Sequence, residues 1–156
     1  MKNLSIFLLG ACLLFGAGHI SAQQVQRKAP VPNEPDYNKP RLFADLPDKI
    51  DFNPADLAGL FTYDVGQNVS ISISREFDFS GQVVSKSDAS AAATVVIRST
   101  NRLGARLVLT RVTDTDGSVR YLGRIISMQH GDSYEITSDK NQYYFKKKGI
   151  YELMNE

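Results

Sequence analysis

Few side chains in this sequence could act as a nucleophile, an acid–base catalyst or a metal ligand. The 156 residues include one cysteine and two histidines. His130, Asp132 and Ser133 are the residue types of a hydrolase triad, but three residues within one tight turn rarely place the base between nucleophile and carboxylate. His19 lies within the predicted leader described below, so a metal site would rest on His130 plus carboxylates, with no second ligand at helical spacing. We therefore predict no enzymatic activity, no metal and no cofactor.

Residues 114–117, Asp-Thr-Asp-Gly, resemble the opening of a calcium-binding loop. A complete loop needs further oxygen ligands at set positions and a bidentate glutamate, and these do not follow in the sequence. Aspartate and glycine are also the residues that tight turns require, since they supply side-chain hydrogen bonds and positive φ angles. The motif therefore predicts a turn between two strands.

Arginines are the strongest candidates for ligand recognition. Between residues 98 and 124 there are six arginines, no lysine, and only Asp114 and Asp116 in opposition. Guanidinium groups bind carboxylates and phosphates in a bidentate manner. Tyrosines on neighbouring predicted strands could complete a sheet face that binds a protein or a glycan. The predicted binding residues are Arg106, Arg120, Arg124, Tyr121 and Tyr143. The alternative is a solvated face whose arginine stems cover apolar neighbours and pair with acids across strands.

The segments that carry these residues have the pattern of β-strands. Residues 105–113 and 118–128 flank the Asp-Gly turn and predict a β-hairpin. Apolar residues alternate with polar ones over residues 68–77, which predicts one half-buried strand. Residues 94–98 are β-branched and suit a central strand. Residues 86–92 predict a loop.

Further turns at residues 130–133 and 139–141 divide the rest of the chain into short strands, with a last short element at residues 150–154. Short strands joined by tight turns are typical of an antiparallel meander. We therefore predict an all-β fold for residues 67–156, an antiparallel meander that forms a small barrel or sandwich, with one short helix on its N-terminal side.

That helix is predicted in a transitional segment, residues 41–66. Asn53 is a suitable N-cap, and Pro54 suits the first helical position. Leu57, Leu60 and Phe61 follow the i, i+3, i+4 spacing of one apolar helix face. We expect this face to cover the sheet.

Residues 1–22 have the features of a signal peptide. Lys2 precedes an apolar run over residues 4–18, and Ile20-Ser21-Ala22 ends in small residues suited to a cleavage site. The run is shorter than the roughly 20 residues that span a bilayer, so we expect no transmembrane segment in the mature chain. This leader resembles those of bacterial envelope proteins. Alternatively, residues 9–12 match a bacterial lipobox, in which Cys12 would carry a lipid; the apolar residues that follow Cys12 favour cleavage after Ala22.

Residues 23–40 predict a disordered, proline-rich tether. All six prolines lie between Pro30 and Pro54, and residues 23–40 have almost no large aliphatic residue with which to form a core. Removal of Lys2 with the leader leaves 17 basic and 17 acidic residues. A balanced charge is not typical of a nucleic-acid-binding protein.

These features predict an exported protein that is periplasmic, associated with the outer membrane or secreted. We expect a non-catalytic binding or accessory module that engages an envelope protein or glycan. The alternative is a small barrel that carries one apolar molecule. Its cavity would be lined by Val95, Ile97, Leu107, Leu109, Ile125 and Tyr143. The sequence identifies neither the ligand, nor the oligomeric state, nor the pathway.

Overall fold

An eight-stranded antiparallel sheet forms most of the computed structural model, which describes residues 39–140, 142–149 and 152. The strands are β1 (Lys49–Phe52), β2 (Asn68–Ser74), β3 (Phe77–Asp88), β4 (Ala92–Ser99), β5 (Arg106–Thr113), β6 (Val119–Ser127), β7 (Asp132–Asp139) and β8 (Gln142–Gly149). From β2 to β8 each strand pairs with the next, and β1 pairs with β8. The edge strands β1 and β2 contact each other. The result is a nearly closed barrel, which confirms the predicted all-β meander.

The hairpin around residues 114–117 is confirmed, with β5 and β6 in register from Arg106 opposite Ile126 to Thr113 opposite Val119. The Asp114 amide donates to the Ser118 carbonyl at 2.9 Å, and Gly117 adopts a φ of 83°. Such left-handed backbone is easily accessible to glycine alone. The Asp-Gly motif is therefore a structural turn, as predicted.

Two boundaries differ from the predicted ones. The single strand predicted over residues 68–77 is two strands, because the chain reverses at Arg75 and Glu76. Ile73 and Phe77 both face the interior, so the alternation continues through the turn and conceals it. The predicted loop at residues 86–92 is shorter, residues 89–91, because β3 extends to Asp88 and β4 begins at Ala92.

The predicted helix is confirmed as α1 (Pro54–Ala58), which continues into a 3-10 turn at Gly59–Thr62. The Asn53 side chain accepts a hydrogen bond from the Ala55 amide at 3.0 Å and caps the helix. The three apolar residues of the predicted face, Leu57, Leu60 and Phe61, are all buried. The transitional segment also supplies β1, so the barrel begins before residue 67, where the predicted β domain starts.

Large side chains fill the interior of the barrel. The biggest fully buried residues are Tyr134, Phe43, Phe77, Phe79 and Phe145. Two inward-facing glycines allow strands to approach closely: a Cβ atom on Gly81 would lie 2.4 Å from the Arg98 carbonyl oxygen, and one on Gly123 would lie 2.5 Å from that of Val108. Glycine at such positions permits the tight bends that barrel closure needs.

Several predicted segments lie outside the described residues. These are the signal peptide at residues 1–22, residues 23–38 of the tether, and residues 150–154 apart from Glu152. In the part of the chain that is described, no helix combines the length and the apolar character needed to cross a membrane.

Candidate binding surface

Four arginines lie on the outer surface of three adjacent strands. Arg98 is on β4, Arg106 is on β5, and Arg120 and Arg124 are on β6; all four are exposed. We call this surface the arginine face. Their positions follow from strand alternation, because the residues that flank Arg98 and Arg106 in the chain face the barrel interior. The outward-facing positions of these three described strands carry no acidic residue.

Arg98 and Arg106 lie directly opposite each other in the register of β4 and β5. The guanidinium group of Arg98 donates to the Gln82 side chain at 3.2 Å. Among the described residues, no carboxylate forms an ion pair with Arg98 or Arg106. Like charges directly opposite each other on neighbouring strands destabilise a sheet. An anion bound between them would remove this repulsion.

The two arginines on β6 differ from each other. Arg120 forms an ion pair with Asp114, with Nε 3.0 Å from Oδ2. Arg124 lies opposite Glu135 in the register of β6 and β7, but Glu135 pairs with Lys148 at 2.8 Å. Arg124 has no ion pair with any carboxylate in the described part of the chain. Of the three predicted arginines, Arg106 and Arg124 are therefore available to a ligand, whereas Arg120 is partly engaged.

Tyr121 and Tyr143 do not belong to this surface. Both point toward the interior at one end of the barrel, where their ring centroids are 6.3 Å apart. Tyr121 also packs against Phe61, and Tyr143 packs against Phe52. The expectation that these tyrosines share a face with the arginines is thus wrong. Tyr121 follows the outward Arg120 in the chain, and successive strand residues point to opposite sides.

An apolar groove continues the arginine face at the end where β4 leads into β5. Its walls include Arg98, Arg106, Leu103, Ile126 and Met128, and it encloses about 770 Å³. Leu103 is 75% exposed and Met128 is 44% exposed. We call this region the Leu103 groove. The residue pattern does not predict this groove; its one trace in the sequence is a leucine in the short connection between two predicted strands.

Hydrogen bonds fix the loop that presents Leu103. The Asn101 side chain donates to the Asp78 carbonyl at 2.8 Å, and the Arg102 amide donates to Ser99 Oγ at 3.0 Å. The Arg102 guanidinium group binds both carboxylate oxygens of Asp45, at 2.8 and 2.7 Å, and this contact lowers the pKa of Asp45. The exposed Leu103 therefore lies on a loop that several hydrogen bonds hold in place.

The three residue types of a hydrolase triad, His130, Asp132 and Ser133, each contact a different partner. His130 Nδ1 lies 2.7 Å from Ser127 Oγ, and Ser127 is fully buried. Buried Asp132 accepts a hydrogen bond from the Phe43 amide at 2.8 Å. Ser133 donates its hydroxyl to the Lys148 carbonyl at 2.8 Å. The described residues contain no group of three or more potential metal-ligating side chains.

The interior of the barrel is a packed core, which argues against the alternative of a barrel that carries one apolar molecule. Of the six residues expected to line a cavity, five are fully buried within one continuous hydrophobic cluster, and Tyr143 packs at its edge. The Leu103 groove opens on the outside of the barrel instead. Comparison of the chain with protein-family models, curated proteins and solved structures finds no match.

Proposed function

We propose that the protein is an exported, non-catalytic binding or accessory module of the bacterial cell envelope, and that its arginine face engages an anionic protein or glycan. The observation that carries the proposal is the pair Arg98 and Arg106, directly opposed and without an ion pair among the described residues. Export is supported by the leader at residues 1–22.

An anionic partner fits the chemistry of the surface. A guanidinium group presents planar donors that match carboxylate and phosphate oxygens, and charge-assisted hydrogen bonds of this kind are the stronger ones. Arg124 extends the positive surface to the next strand. The net charge of the whole chain is only +1, so attraction would come from the local concentration of arginines.

Binding to defined polyanions tests the proposal. Isothermal titration calorimetry would compare poly-glutamate with polygalacturonate, using the unaltered protein and the variant Arg106→Glu/Arg124→Glu. We expect the protein to bind at least one of the two polymers and the variant to lose at least about tenfold in affinity, because each substitution replaces attraction with repulsion.

The matched control is Arg41→Glu/Arg75→Glu, which reverses two exposed arginines away from the arginine face, one before β1 and one in the turn between β2 and β3. This variant should bind nearly as well as the unaltered protein. Equal losses in both variants would show an effect of net charge alone and would contradict a defined site. Absence of binding to both polymers would also contradict the proposal.

Export is tested separately by expression with the leader in a Gram-negative host. We expect the periplasmic fraction to contain a chain that begins at Gln23, which mass spectrometry can identify. Full-length protein retained in the cytoplasm would contradict export, and a lipid on Cys12 would establish the lipoprotein alternative.

A further inference from the structure

We infer that the Leu103 groove binds a protein segment in which an apolar side chain lies next to a carboxylate. This inference rests on the proposed function and names the partner class of the same surface. Its physical basis is the combination, in one groove, of exposed apolar side chains and two unneutralised guanidinium groups.

The apolar part of the groove comes from Leu103, Ile126 and Met128. Leu103 and Met128 both expose their side chains to solvent within the groove. The loop that carries Leu103 is bonded to β3 through Asn101 and to Asp45 through Arg102, so Leu103 cannot simply fold into the core. Methionine adapts its shape to different apolar partners. An apolar side chain of a ligand would thus contact Leu103, whose loop is fixed, and Met128, whose side chain can adapt.

The charged part of the groove comes from Arg98 and Arg106. Directly opposed residues on antiparallel strands have Cβ atoms about 5 Å apart, a spacing at which both guanidinium groups can reach one carboxylate. Ile126, on β6, lies directly opposite Arg106 in the register of β5 and β6. Apolar and cationic groups are therefore immediate neighbours. A ligand that satisfies both must carry an apolar group and an anion within a few ångströms.

A protein segment fits this requirement better than an acidic glycan. A sugar ring stacks favourably on an aromatic face, and none of the described residues that line the groove is aromatic. Tyr121, which follows Arg120 in the chain, points into the barrel. Leucine beside glutamate, in contrast, offers the apolar group and the carboxylate on adjacent residues of one peptide.

Fluorescence anisotropy with two labelled peptides tests this inference. One probe is acetyl-Gly-Leu-Glu-Leu-Glu-Gly-amide, and the other replaces both leucines with serine and keeps the charge. We expect the leucine peptide to bind at least about tenfold more tightly, because only its side chains displace water from the apolar wall. The variant Leu103→Ser/Met128→Ser should lose this preference and retain the weaker, charge-dependent binding of both peptides.

The control variant is Leu122→Ser, since Leu122 is 48% exposed on the outer side of β6 but does not line the groove. It should keep the full preference. Equal affinity for the two peptides would overturn the inference, and so would an equal loss in the groove and control variants. In either case the effect of Arg106→Glu/Arg124→Glu decides about the proposed function. If this variant still weakens peptide binding, the proposed function is retained without the groove. If it leaves binding unchanged, the proposed function is contradicted as well.

Discussion

The buried carboxylate of Asp132 helps to connect the segment before β1 to the barrel. Asp132 is fully buried, and one of its oxygens accepts from the Phe43 amide across 89 residues of sequence. The other oxygen has no hydrogen-bond partner among the described residues. Asp132 is therefore a structural residue, and its role is measurable as stability.

We expect Asp132→Ala to lower the free energy of unfolding by about 1–3 kcal/mol, because it leaves the buried Phe43 amide without an acceptor. Asp139→Ala, at the exposed end of the same strand, should change it by less than about 0.5 kcal/mol. Urea denaturation of the two variants measures both values. Similar effects in both would contradict the structural role of Asp132.

Tyr134 should make the protein sensitive to alkali. Burial, together with the negative charges of Asp132, Asp48 and Asp45, raises its pKa. A raised pKa in the folded state contributes stability below the unfolded pKa of about 10, and this contribution is lost as the pH rises above that value. The unaltered protein should therefore lose more stability between about pH 9 and about pH 11 than Tyr134→Phe does.

Near neutral pH the unaltered protein should be more stable than Tyr134→Phe. The Tyr134 hydroxyl donates to the Pro47 carbonyl, so Tyr134→Phe should be less stable near neutral pH by about 1 kcal/mol. Denaturant unfolding across the pH range measures both effects. Parallel stability profiles for the two proteins would show that the phenol does not contribute to the pH dependence.

At the scale of the elements, the close approach of strands at Gly123 is a condition of the fold. A Cβ atom there would lie 2.5 Å from the Val108 carbonyl oxygen. We expect Gly123→Ala to destabilise the protein by about 1–3 kcal/mol, because the backbone of β5 must shift. Gly59→Ala is the control: Gly59 has an ordinary helical φ of −61° and no atom within 4 Å of the added carbon.

The control should be neutral or stabilising by up to about 1 kcal/mol, since alanine loses less backbone freedom on folding. Thermal unfolding of both variants is the measurement. A Gly123→Ala variant as stable as Gly59→Ala would contradict the close packing of β5 against β6.

Much of the fold could be predicted because its elements leave local patterns in the sequence. The Asp-Gly turn, the Asn53 cap and the alternating strands each depend on neighbouring residues. The turn at Arg75 and Glu76 could not be predicted from such a pattern. Ile73 and Phe77 both face the interior and are four residues apart, as they would be in one uninterrupted strand.

The candidate site was predictable only in part. The number of arginines between residues 98 and 124, opposed by only two acidic residues, identifies them in the sequence. Their separation from Tyr121 depends on strand parity, which the interior packing of Tyr121 with Phe61 and Tyr143 reveals. The Leu103 groove brings the connection between β4 and β5, residues 98–106, together with residues 126–129 at the end of β6. No local pattern encodes that contact.

At the scale of the whole molecule, the barrel interior is filled and the proposed binding surface lies outside. Binding should therefore depend on surface electrostatics. We expect the affinity for the serine–glutamate peptide to fall steeply between about 50 mM and about 500 mM salt, because the arginines and the peptide are exposed to screening ions. The leucine–glutamate peptide should lose a smaller fraction of its binding free energy. Loss of the same fraction of the binding free energy by both peptides, measured by anisotropy, would contradict an apolar contribution.

Titration of the isotopically labelled protein with the leucine–glutamate peptide, followed by NMR, tests the binding surface most directly. We predict that the largest shift changes occur at Arg98, Leu103, Arg106 and Met128, with smaller changes at Arg124. The amides of β1 and β8, on another part of the barrel wall, should change little. Changes centred on β1 and β8, or on the buried residues of the interior, would contradict recognition through the arginine face and its groove.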